Sequence, residues 1–120
     1  MPYKLIKDDL FDANVHFFWQ CNQSCVIDTM LKKHNIEVED NGKLMYGALW
    51  EIEMTDKAIN WIVFYDKTKK ENTLHHECLH LVYYIFEHKG IPSDFDNQET
   101  VCYYQGYWVR KLTNIMKGKK

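Results

Sequence analysis

His76-Glu77-Cys78-Leu79-His80 sets two imidazoles four residues apart, with a carboxylate directly after the first. On a helix, at about 100° per residue, His80 falls roughly 40° from His76, so both rings leave one face and can meet at a single metal ion. Glu77 falls roughly 100° away, at the flank of the same sector, where a carboxylate can take a proton from a water held by the ion. Tyr84 and Glu87 share this polar sector. Leu74, Cys78, Leu79, Leu81, Val82, Ile85 and Phe86 occupy the opposite side, giving an amphipathic helix with the motif on its polar face. His75 falls with the apolar residues, so it is expected at the core or its margin and is not counted as a ligand.

A catalytic zinc keeps three protein ligands and one open position for water, so a further ligand must come from outside the motif. Glu99 is the leading candidate, at the start of the next helix, where an antiparallel helical hairpin would return its first turn toward the motif. The same Glu99 fits a capping box opened by Asp96, and His88, Asp94 and Asp96 stand as substitute ligands. The metzincin arrangement is excluded, because Tyr83 and Phe86 occupy the positions of its Gly and third His. With 6 His in 120 residues, the three fixed positions would arise by accident in roughly 2 of 100 such chains. The weight therefore falls on the elements that present the motif.

Thr73 is a plausible cap for a helix running to about His88, with Gly90 and Pro92 as stop signals. Asp96 is expected to cap a last helix that carries Val101, Tyr104, Trp108, Leu112 and Ile115 at spacings of three and four. Upstream, residues 14–19 form an aromatic-rich strand. Asn22 then caps a helix with the stripe Val26, Ile27, Met30 and Leu31, ending near His34. Residues 43–54 alternate through Leu44, Tyr46, Ala48, Trp50 and Ile52, and 58–65 is a second β-prone run. A turn at Thr55-Asp56-Lys57 makes the two an antiparallel hairpin. The order is strand, helix, strand, strand, helix, helix. This predicts an α+β fold, one domain over 1–120, with the helices on one face of a short antiparallel or mixed sheet.

A composition 46% hydrophobic, 15% aromatic and 27% charged supplies a core, and a net charge of -2 gives no footprint for nucleic acid. The basic end at Lys117, Lys119 and Lys120 is expected to be a solvated terminus. No apolar run of about 18 residues exists to span a membrane, and the first residues lack a secretory pattern, so a cytoplasmic location is expected. Cys21, Cys25, Cys78 and Cys102 fit free thiols, with Cys78 and Cys102 in the core; the Cys21/Cys25 spacing leaves a structural metal site open. The four Trp are expected as core anchors, and His16 and His34 receive no role.

His76-Glu77-Cys78-Leu79-His80 followed by Glu99 resembles the gluzincin branch of the zincin metallopeptidases. The likeness covers about the C-terminal half and is nearest to the small metallopeptidase-like proteins encoded by bacteriophages and prophages. There a sheet precedes the motif helix, and the third-ligand Glu is followed by Tyr and Gly, as Glu99 is here by Tyr103, Gly106 and Tyr107. The resemblance implies one zinc per chain held by His76, His80 and Glu99, with Glu77 as general base in hydrolysis of a peptide or protein substrate. For a phage protein the location would be the host cytoplasm. Tyr103 lies one turn beyond Glu99, and is either a supporting phenol or oxyanion donor or a packed core side chain. A non-enzymatic zinc domain, or a peptidase relic that binds proteins, is the alternative.

Overall fold

Two central strands, β2 (Ala13–Trp19) and β4 (Ile59–Tyr65), run parallel and organise the molecule. In the computed structural model, which describes residues 3–19, 22–38, 47–65 and 73–118, the sheet order is β1-β2-β4-β3. β1 (Tyr3–Asp8) pairs antiparallel with β2, and β3 (Gly47–Glu53) antiparallel with β4. The sheet is mixed and the class is α+β. A parallel pair cannot be joined by a tight turn, so the chain crosses over between β2 and β4, and that crossover carries α1 (Gln23–His34).

Nearly every residue of β2 and β4 is buried, which requires cover on both faces. Phe18, Ile62, Phe64 and Ala48 pack with Val26 and Met30 of α1 on one side. Val15, Phe17, Trp61, Val63 and Tyr65 pack on the other with α2 (Thr73–Lys89) and α3 (Gln98–Met116). The expected placement of all helices on one face is therefore corrected. Alternate side chains of both central strands are apolar, so a single helical layer would leave half of them in water.

Local chemistry sets the ends of these elements. Asn22 accepts a hydrogen bond from the Cys25 amide at 2.9 Å, and Asn35, at φ 56°, closes α1 in the left-handed region. Lys32, Lys33 and His34 fill its last turn, where cations favour the helix dipole. The β3–β4 turn matches expectation: the Ala58 amide donates to Asp56 at 3.0 Å, and the Met54 amide to the Ala58 carbonyl at 2.8 Å. Of the expected β3 run, residues 43–46 lie outside the described residues.

β1 is an element the sequence reading lacks. It is an edge strand in which Lys4, Lys7 and Asp8 interrupt the apolar pattern, so its period-2 signal is weak. Asp8 fixes its end: the buried carboxylate accepts from the Leu10 amide at 2.9 Å, the Phe11 amide at 3.3 Å and the Tyr104 hydroxyl. Burial and the Asp8 bond push the Tyr104 phenol pKa upward, so it stays a donor. Lys89 donates to the Asp12 carbonyl at 3.0 Å, joining the same turn to the end of α2.

On the α1 face lies a polar chain inside the core. The Asn60 side-chain amide donates to His16 Nε2 at 2.9 Å, so Nδ1 of the neutral ring carries the proton. That Nδ1 donates to the Tyr3 hydroxyl at 2.8 Å, which donates to His34 Nε2 at 3.0 Å. A proton added to His16 would face the Asn60 donor in a dry site. Accordingly, burial, followed by the nearby His34, lowers the His16 pKa from 6.5 to about 4. The unfolded chain then binds a proton that the folded chain refuses, so stability falls as pH drops from 6.5 toward about 4. Thermal melts across that range are expected to show this loss in the wild type and a shallower slope in His16→Gln; equal slopes would remove His16 as the cause.

Candidate functional site

α2 lies across β3 and β4 and is held there by one side only. Leu74, Cys78, Leu81, Val82, Ile85 and Phe86 are all buried, which matches the apolar sector expected of this helix. Fixing that stripe leaves the opposite face in solvent, with His76, His80, Tyr84 and Glu87 exposed. The two motif imidazoles meet there. Their Nε2 atoms are 3.1 Å apart and their rings are inclined at 78° with centroids 4.6 Å apart.

This geometry suits a shared ion. Two neutral imidazoles can keep such a contact only with one Nε2 as donor and the other as acceptor. Two nitrogens each about 2.0–2.1 Å from one tetrahedral zinc stand about 3.3 Å apart, close to the separation observed. The pair is thus spaced for chelation with little movement of either ring.

Glu77 occupies the seam between the wet and dry faces. The residue is 7% exposed, against 65% for the His76 side chain, and its carboxylate approaches His76 Nε2 to 4.0 Å. Burial raises its pKa above the usual carboxylate value, and the neighbouring His76 partly opposes that shift. A carboxylate made more basic beside a pair of imidazoles is suited to accept a proton.

The remaining candidates are dispersed. Glu99 stands exposed on the first turn of α3, and among the described residues no group of three or more His, Cys, Asp or Glu side chains converges on a metal position. The Gln105 side chain donates to the His75 carbonyl at 3.1 Å, so the α3 turn that reaches the start of α2 follows Glu99 by six residues, about 9 Å of helix rise. His88 packs its ring against Trp61 at 5.7 Å, and Asp94 and Asp96 are exposed.

Several local expectations change. Asp96 does not cap α3: it lies within a 3-10 turn (Phe95–Asn97), and the cap position falls to Asn97, which makes no side-chain capping bond. The capping-box role of Glu99 goes with it. Tyr103 is 76% exposed, which excludes the packed-core alternative. His75 is exposed, not at the core or its margin, although its neighbour Leu74 in the same turn is buried. Cys102 is exposed beside Val101, whereas Cys78 is buried. Burial, then Glu77, pushes the Cys78 thiol up to about 12, so it is no nucleophile. Cys21 lies outside the described residues, so the Cys21/Cys25 metal alternative is not addressed.

Tyr84 is a site residue that the motif did not announce. Its ring centre lies 6.4 Å from that of His80, on the same exposed face. The signal was present in the i, i+4 spacing from His80, which sets a phenol beside the second imidazole.

Comparison with protein-family models, with curated proteins and with solved structures found no match to this chain.

The pair predicts a metal dependence that can be read directly. Zinc titration of the wild type is expected to give one bound ion per chain, with binding lost in His76→Ala and weakened in Glu99→Ala. As His76 is exposed, the metal-free variant is expected to melt within about 0.5 kcal/mol of the metal-free wild type. Undiminished zinc binding by His76→Ala would remove the pair as the metal site.

Proposed function

We propose that this chain is a small zinc-dependent metallopeptidase that hydrolyses peptide bonds. The observation that carries this reading is the 3.1 Å Nε2 pair of His76 and His80 with the buried Glu77 carboxylate at its flank. His76 and His80 would hold the ion, and the third position is assigned to Glu99 as the gluzincin resemblance implies, although among the described residues no third ligand converges on the pair. When bound, zinc supplies a Lewis acid that polarises the scissile carbonyl and makes a water nucleophilic near neutral pH. Glu77 takes the proton of the attacking water and passes it to the leaving amine, a task served by its raised pKa. Tyr84, whose ring centre lies 6.4 Å from that of His80, would donate its phenol to the developing oxyanion, with Tyr103 as the alternative.

The sheet provides a means of holding substrate. Among the described residues β3 is an edge strand paired with β4 alone, and α2 packs beside it. An extended peptide can add to that open edge through backbone hydrogen bonds and lie along the motif helix. A closed structural site, the non-enzymatic alternative, needs four protein ligands, whereas an exposed histidine pair leaves positions for water and substrate. We assign the work to a reducing, cytoplasmic compartment, consistent with Cys25, Cys78 and Cys102 being free. No helix among the described residues is long and apolar enough to cross a membrane.

Glu77→Gln keeps the shape of the side chain and removes the base. It is expected to retain one zinc per chain while peptide hydrolysis drops by about 10²–10⁴. Tyr84→Phe is expected to lower kcat by about a hundredfold with KM little changed. The assay is single-turnover cleavage of a peptide library by zinc-loaded protein. Hydrolysis at the wild-type rate by Glu77→Gln would refute the mechanism.

A further inference from the structure

On the far side of the sheet from β3, a groove of about 440 Å³ runs between β1 and the second half of α3. Its cationic lining comes from Lys4 and Lys7 on the strand and Arg110 and Lys111 on the helix. No Asp or Glu lines it among the described residues, although the whole chain has a net charge of -2. Leu5, Ile6 and Ile115 supply apolar surface between the charges. Lys111 Nζ lies 5.7 Å from the centre of the Tyr107 ring, so the aromatic face holds that ammonium on the groove wall.

The second observation is the strand itself. Among the described residues β1 is hydrogen-bonded to β2 alone, and Lys4, Leu5, Ile6 and Lys7 all line the groove. An unpaired row of backbone N–H and C=O groups therefore runs along the cationic wall. A ligand using both features must be extended, must offer its own backbone to β1, and must carry negative charge alternating with apolar side chains.

We propose that this groove is a docking site for an acidic, extended segment of a partner protein, which adds as a strand to β1 while its carboxylates meet Lys4, on the α3 face of the strand, and Arg110 and Lys111. The open strand edge favours a peptide over a nucleic acid, since nucleic acid has no complementary backbone to pair with it. The site is independent of the zinc reading, being built from β1 and α3 at the opposite edge from β3.

The test is fluorescence anisotropy with a labelled peptide of alternating Glu and Val, titrated with the full-length protein. Binding is expected to weaken as salt rises and by at least about tenfold when Lys4→Glu and Arg110→Glu are combined. N-methylation of alternate peptide amides, which removes strand pairing but leaves every charge, is expected to cost about as much. Both substituted residues are exposed, and the peptide-side comparison does not depend on the variant folding. Equal binding of a Lys/Val peptide, or of the N-methylated peptide, would overturn the proposal. So would equally tight binding of single-stranded DNA or inorganic phosphate, which would make the groove a general anion site. Self-association abolished by Arg110→Glu would overturn it in favour of a contact between copies.

Discussion

The parallel pairing of β2 with β4 is the constraint on which the other parts depend. Because the two strands point the same way, the chain must leave the sheet and return, and α1 occupies that excursion. Because both strands are apolar on both faces, the second face needs cover as well, and α2 and α3 supply it. The orientation of α2 then follows. Its buried stripe faces the sheet and α3, so the remaining arc, with the two histidines, faces outward. The position of Glu77 at the border of the two arcs is a geometric result of packing, and so is its desolvation.

That border makes one helix serve two needs. The imidazoles stay wet, where exchange of ligand or water is easy, while the adjacent carboxylate sits where the protein depresses its ionisation. A residue one step along a helix turns through about 100°, enough to move from solvent to the edge of the core. The five-residue motif therefore encodes both environments, provided that a firm apolar stripe sets the rotation. The six buried apolar side chains of α2 provide it.

Much of this was legible in the sequence because α1, α2 and α3 each bury one continuous stripe, and such stripes leave a period near 3.6. The β3–β4 hairpin was equally clear from its alternation and from Asp56 in the turn. β1 was not, since an edge strand with lysines at Lys4 and Lys7 carries little pattern. Two-sided cover was missed because an apolar strand shows that it is buried without showing by which helices. Nor does periodicity fix the sliding of one helix along another, which is why Gln105, not Glu99, meets the first turn of α2. The chain Asn60–His16–Tyr3–His34 is assembled from four separate elements, and no local spacing could announce it.

The bond from Tyr104 to Asp8 joins residues separated by 96 positions, tying β1 to α3. Closing so long a stretch costs chain entropy before any contact repays it, so this edge of the sheet is expected to form later than the helices that flank it. Without α3, Asp8 would keep only the Leu10 and Phe11 amides and the apolar stripe of α2 would lose part of its cover. A chain cut before α3 would therefore carry the motif residues without the packing that aligns them.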